Sequence, residues 1–160
     1  MQLFIMRHGE ALFDAPDPQR RLSERGIRQA HDSATWLAER MGSDVSTLRL
    51  WASPFQRAQQ TAAIVAEHLN ISVETQDWLI PDEPIERVLA HWEVKWMQAA
   101  PTARWLWVTH MPLVGKLSGV FCEGHARLGQ GFCPAQVQQM DADVWAAGCA
   151  VSKGQYVPQV

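Results

Sequence analysis

The sequence predicts an α/β fold: a three-layer α/β/α sandwich whose central sheet is mainly parallel. Two observations carry that expectation. Short apolar runs, "QLFIM", "LRLWA" and "RWLWVT", alternate along the chain with segments whose apolar residues recur at helical spacing. Parallel strands need long crossovers, and helical crossovers cover both faces of the sheet. The second observation is size. A chain of 160 residues, 47% hydrophobic and 19% charged, can bury one core without disulfides or metals, and it contains no linker of domain-separating length. Residues 1–160 are therefore expected to form a single domain.

The first strand, residues 2–6, runs straight into Arg7, His8 and Gly9. Pro16 and Pro18 keep the following stretch irregular until Ser23 offers a helix N-cap. Ile27, Ala30, Ala34, Leu37, Ala38 and Met41 form that helix's apolar stripe, and Gly42 suits the residue just past its end. "LRLWA" at 48–52 is the second strand. Behind it, Ser53 reads as a cap and Pro54 as the first residue of a helix buried through Phe55, Ala58, Ala62, Val65, Ala66 and Leu69. "ISVE" at 71–74 is the third strand and "PDEP" a loop. Ile85, Val88, Leu89, Trp92, Trp96 and Ala99 mark a third helix, stopped by Pro101. "RWLWVT" is a strand ending at His110, and "MPLVGKLSGVF" repeats the device of a proline opening a helix. Residues 122–133, with Gly124, Gly129 and Gly131, read as loop, and 134–140 and 144–151 as a hairpin or two edge strands around "DAD".

A net charge of −3 and a pI of about 6.0 argue against broad electrostatic binding to nucleic acid or anionic lipid. No run of about 18 apolar residues occurs, and the opening run is too short for a signal peptide and carries its positive charge on the wrong side. A soluble, cytoplasmic protein is expected, monomeric at this size, with neither nucleic acid nor membrane as partner. Cys122, Cys133 and Cys149 form no C-x-x-C pair and are expected to be reduced, mostly buried thiols. Most of the eight tryptophans should be core, with Trp78, Trp92 and Trp96 the candidates for a partner-binding rim.

In such sheets ligands bind beyond the carboxyl ends of the strands, where strand order reverses. His8 follows the first strand, Ser53 and Arg57 the second, and His110 the "RWLWVT" strand, so three strands send polar residues to one edge. Arg20 and Arg21 lie on the adjoining loop. Each alone is ordinarily a surface ion-pair partner or a hydrogen-bonded structural histidine. Together, cations converging without matching acids repel one another, and burial removes the water that would screen them. Phosphate is the natural ligand, ahead of carboxylate or sulfate, because guanidinium groups and helix N-termini near Pro54 or Pro112 match its oxygens. A neutral imidazole in that pocket is a competent nucleophile toward phosphorus if its other nitrogen is held. Arg7 would steady the transferring oxygens, and Gly9 would let the backbone turn close to them. A metal site of His8, His110 and Glu10 is the weaker reading, since several arginines would sit beside the cation, and no metal or other cofactor is expected. His31, His68, His91 and His125 read as structural or exposed.

"RHGEA" at 7–11, the arginine before "LS" near 20–23, "SPFQRAQQTA" at 53–62 and "VTHMPLVG" at 108–115 resemble, in order and spacing over residues 1–120, the histidine phosphatase superfamily. That superfamily is also called phosphoglycerate mutase-like, and its small bacterial protein phosphohistidine phosphatases are the most similar members. The resemblance implies a phosphoglycerate mutase-like fold, His8 as the nucleophile that becomes phosphorylated, and Arg7, Arg57 and His110 as ligands of the phosphoryl group. It also implies a loop arginine before a Pro-Leu-Thr segment. Here "RRLS" aligns Arg20 with that arginine and leaves Arg21 as its rival.

Members that hydrolyse phosphate esters typically carry an acid in an L-x-E segment after the third strand. Here the stretch reads "DWLIPDEPIE", leaving only Asp82 and Glu83, shifted later, as possible proton donors. An alkoxide leaves poorly without a proton, whereas imidazole, with a pKa of about 6.5, departs more easily. The expectation is therefore a metal-independent phosphatase acting on a phosphohistidine-bearing signalling or phosphocarrier protein, with phosphate or sulfate able to fill the pocket. A phosphatase for small phosphomonoesters is the enzymatic alternative. A non-catalytic phosphate-binding module is disfavoured because His8 itself is present.

Overall fold

Residues 1–160 are all described by the computed structural model. Six strands share one sheet: β1 (Gln2–Arg7), β2 (Leu48–Ala52), β3 (Val73–Thr75), β4 (Arg104–Thr109), β5 (Val137–Asp141) and β6 (Val151–Tyr156), in the spatial order β3-β2-β4-β1-β5-β6. The first four run parallel, β5 is antiparallel to β1, and β6 is antiparallel to β5. This is the mainly parallel sandwich that the alternation of strands and helices predicts.

Successive side chains of a strand point to opposite faces, and the core divides accordingly. Phe4, Met6, Leu50, Ala52, Leu106 and Val108 pack with α1 (Glu24–Met41) and α2 (Gln56–Leu69), where Ala34, Ala58 and Ala62 provide small contact residues. Leu3, Ile5, Trp51, Trp105 and Trp107 pack on the other face with α3 (Ile85–Trp96) and α4 (Leu113–Ser118). Seven of the eight tryptophans gather in this second layer, and Trp36 packs on the first. Trp92 stands edge-on to Trp105 and Trp107, with centroids 4.7 and 4.9 Å away, an arrangement aromatic quadrupoles favour. Trp78 and Trp92 are thus core residues, and only Trp96 of the three rim candidates is partly accessible.

Several boundaries differ from the sequence-based expectation, each for a local reason. Ser53 does not cap α2, which starts at Gln56 behind Phe55; its hydroxyl instead accepts the Phe55 N–H at 3.2 Å and turns toward His110. α3 ends at Trp96, five residues before Pro101, and β3 lies two residues later than its apolar pattern suggests. The C-terminal strands are displaced furthest. Trp145 and Ala150 are buried from within the connecting loop and imitate a strand, while β6 is an exposed edge strand with little apolar signal. Residues 122–133, expected as loop, begin in the end of a π-helical turn (Gly119–Glu123) and hold a 3₁₀ turn (Ala126–Leu128). Cys133 and Cys149 are exposed and Cys122 half-buried, against the expectation of burial, because all three fall in these turns and loops.

Sheet order determines what meets at the carboxyl edge. Arg7 of β1 pairs with Thr109 of β4, so the residues that follow, His8 and His110, emerge side by side. Ala52 pairs with Val108, which brings Ser53 next to His110. The ladder continues one step into the site: His8 N–H donates to the Thr109 carbonyl and Ser53 N–H to the Val108 carbonyl, both at 3.0 Å.

Candidate active site

His8 is buried, and its two ring nitrogens have different neighbours. Nδ1 lies 2.6 Å from the Gly9 carbonyl, which can only accept, so the ring proton belongs on Nδ1. Nε2 then carries the lone pair and accepts from Arg57 Nε at 3.1 Å. Gly9 is itself fixed, its N–H donating to Thr61 Oγ1 at 3.1 Å, while Thr61 donates onward to the Arg57 carbonyl at 2.8 Å. One side chain thus ties the backbone of β1's exit to the first turn of α2.

His110 stands edge-on to His8, with ring centroids 4.9 Å apart. Its Nε2 is 2.7 Å from Ser53 Oγ, and its Nδ1 is buried without a partner. Burial pushes the His8 pKa down to about 3; the Gly9 carbonyl opposes this, and the charges of Arg57, Arg7 and Arg20 reinforce it. His110 falls to about 2, through burial first and then the adjacent His8 and the same three arginines. Both imidazoles are therefore neutral near pH 7.

The arginines surround this pair. Arg57, 4% exposed, sits on the first turn of α2 and donates through Nη1 to the Asp17 carbonyl at 2.7 Å. Arg7 donates through Nη1 to the Phe132 carbonyl at 2.6 Å, leaving Nε buried and unpartnered. Burial lowers the pKa of both guanidinium groups, yet arginine stays cationic in proteins. Of the two rival loop residues, Arg20 turns inward: its Nη1 is 3.1 Å from Asp17 Oδ1, and its side chain is 17% exposed. Arg21 points outward, 57% exposed and paired with Asp14 at 3.4 Å.

Asp17 corrects the sequence expectation of cations without a matching acid. Its carboxylate lies 3.4 Å from Arg57 Nη2 as well as contacting Arg20. Burial opposes its ionisation, but hydrogen bonds and charge from the two arginines hold its pKa below the usual carboxylate range. Its contact with Arg20 is local, three positions on, but the contact that brings it to the buried arginine is with Arg57, 40 positions away, and no local pattern marks that. The roles of Ser53 and Thr61 in the site have no local signal either, although both lie within the "SPFQRAQQTA" segment.

The remaining candidates are engaged by other partners or exposed to solvent. Glu83 is buried, with Oε1 3.1 Å from Arg87 Nη1, and lines a cavity of about 360 Å³ with Thr75, Gln76, Asp77, Trp78, Arg87 and His91. None of His8, Arg7, Arg20, Arg57 and His110 lines that cavity. Asp82 is exposed. Glu10 is committed to Ser23 Oγ at 2.8 Å and to Arg25, and no group of three or more His, Cys, Asp and Glu side chains could hold a metal ion. The close approach at Gly9 is to Gly26 of α1: a Cβ on Gly9 would meet the Gly26 carbonyl oxygen at 2.5 Å. His31, His68, His91 and His125 are all exposed.

A parallel sheet that presents a strand-end histidine to a ring of arginines defines a class, and the chain belongs to it: residues 3–112 match the histidine phosphatase superfamily, branch 1. It is 36% identical over 127 residues to the phosphohistidine phosphatase SixA of Escherichia coli K12, an alignment covering 78% of this chain and 76% of that protein. A SixA homolog of Haemophilus influenzae is 32% identical over 124 residues, 73% of this chain and 74% of the relative. The solved structure of the protein histidine phosphatase SixA complexed with tungstate matches with a TM-score of 0.85 at 31% identity, covering 99% of this chain and 97% of that one. No helix is long and apolar enough to cross a membrane.

Proposed function

We propose that this protein is a phosphohistidine phosphatase that dephosphorylates a phosphohistidine-bearing protein through a covalent phospho-His8 intermediate. The observation that carries this reading is the His8 ring: Nδ1 is held by the Gly9 carbonyl, so a neutral Nε2 lone pair faces the arginines. Identity to the Escherichia coli phosphohistidine phosphatase supports the substrate class, and the tungstate held by a structural relative supports a tetrahedral oxyanion as occupant. In this reading residues 1–160 act as one domain, as a monomer, in the cytoplasm, on signalling or phosphocarrier proteins.

The reaction runs in two balanced steps. Phosphoryl oxygens take over the donors of Arg57 and Arg20 now engaged by Asp17, and Arg57 Nε releases His8 Nε2. That nitrogen attacks phosphorus as the substrate's P–N bond breaks. The electron pair leaves with the substrate imidazole, which already carries a proton on its other ring nitrogen and so departs as the neutral ring without an acid from the enzyme. Arg7, Arg20, Arg57 and His110 stabilise the charge spread over the equatorial oxygens. Ser53, accepting from Phe55, gives its own proton to His110 Nε2 and so leaves Nδ1–H to donate to the phosphoryl group. Water then attacks phospho-His8, releasing phosphate and the neutral ring. Glu83, occupied by Arg87, has no assigned part.

The test is hydrolysis of a phosphohistidine-bearing protein beside a panel of phosphate esters, with chelator present, for the wild type and His8→Ala. Turnover of phosphohistidine by the wild type alone, with radiolabel trapped on His8, is expected. Activity surviving in His8→Ala would overturn the covalent mechanism. Arg20→Ala should raise KM about tenfold, and Arg21→Ala less than about twofold; the reverse order would exchange their roles.

A further inference from the structure

Of all the Phe, Trp and Tyr side chains, only Phe13 is exposed, and it is 88% exposed. Isolated surface apolar residues are normal, so exposure alone means little. Two features set Phe13 apart. Its ring is stacked by the Arg20 guanidinium, 3.9 Å from the centroid, and Arg20 in turn contacts Asp17, Asp17 contacts Arg57, and Arg57 contacts His8 Nε2. A continuous line of contacts joins the most exposed aromatic ring of the molecule to the proposed nucleophile.

The loop is also held firmly behind that ring. Leu12 N–H donates to the Arg21 carbonyl at 2.8 Å, Ala11 and Leu22 form a bridge, Arg20 Nε donates to the Leu12 carbonyl at 2.7 Å, and Leu22 N–H donates to Gln60 Oε1 at 2.7 Å. The ring is thus presented to solvent from a tied support. A rigid aromatic anchor loses little conformational freedom on association, and aromatic and arginine side chains dominate the energetics of interfaces.

We propose that Phe13 is the docking contact for the phosphohistidine-bearing protein, seating on an apolar patch beside that protein's phosphohistidine, while Arg20 beneath it grips the phosphoryl group. This rests on the function proposed above and extends it: a phosphoprotein wide enough to reach the pocket covers Phe13, whereas a free phosphoamino acid does not. Protein specificity then resides in a residue that takes no part in the chemistry.

The experiment compares two substrates: a histidine-phosphotransfer domain phosphorylated on its histidine, and free phosphohistidine. Phe13→Ala should raise KM for the phosphorylated domain about tenfold, the size expected for losing an aromatic anchor, and change kcat/KM for free phosphohistidine by less than about twofold. Phe13→Leu, which keeps an apolar side chain, should recover most of the loss. An unchanged KM for the domain, or equal losses on both substrates, would overturn the inference, the latter by making Phe13 only a support for Arg20. A wild type inert toward both substrates would overturn the functional reading and this inference with it.

Discussion

The molecule contains two pairs of histidines with nearly the same internal geometry. His8 and His110 have ring centroids 4.9 Å apart at 61°, and His31 and His68, on α1 and α2, have theirs 5.3 Å apart at 57°. The exposed pair share a hydrogen bond with each other, His31 Nδ1 to His68 Nε2 at 3.0 Å. The buried pair do not. Their nitrogens go to Gly9, Arg57 and Ser53, and one, His110 Nδ1, is left without a partner. Proximity of two imidazoles is therefore not what makes a site. Reactivity needs a nitrogen whose proton is placed by one neighbour and whose other nitrogen faces the ligand, in surroundings dry enough to keep the ring neutral.

The largest effect belongs to His110→Ala, which removes the proposed donor to the developing charge. A loss of about 10²-fold or more in kcat is expected, the scale for one preorganised donor in a sheltered site; steady-state kinetics with near-normal kcat would place His110 outside the chemistry. Ser53→Ala should reproduce part of that loss by freeing the tautomer.

Acid is a smaller lever. The folded-state pKa values of His8 and His110, about 3 and about 2, lie below the value of about 6.5 expected in the unfolded chain. From about pH 6.5 down to about 3 the unfolded chain therefore binds more protons than the native one, and stability falls as pH falls through that window. Urea midpoints at pH 7 and pH 4.5 should drop more steeply for the wild type than for His8→Asn. Equal slopes would contradict the burial of a neutral imidazole. The same depressed pKa has a kinetic consequence: phosphorylation of His8 by phosphoramidate should show no decline near about pH 6.5 from loss of the nucleophile, and a decline there would contradict the buried neutral ring.

The smallest effect is expected at the exposed pair. His31→Ala and His68→Ala should leave phosphohistidine turnover within about twofold, since they remove a surface contact far from the arginines in the hydrogen-bond network. A tenfold loss in either would erase the distinction between the two pairs.

Three positions of this site are legible from local pattern alone: His8, Arg57 and His110 each follow a recognisable strand, and parallel sheets deliver such residues to one edge. The same local logic locates Ser23 as the cap of α1, where its hydroxyl accepts the Gly26 N–H at 3.0 Å, and Gly42 as its terminator at φ 72°. These signals are written in side-chain period, caps and turn residues within a few positions of one another.

Hydrophobic period and backbone preference act over short spans, so the order and kind of the elements and the chemistry at their ends are written in the chain. Which ends meet, and what else they meet, follows from packing in three dimensions. The strand order β2-β4-β1 sets His110 between Ser53 and His8, Asp17 crosses to Arg57, and Thr61 ties Gly9 to α2. Each of these contacts joins residues tens of positions apart, where no local pattern reaches and only packing and register choose the partner.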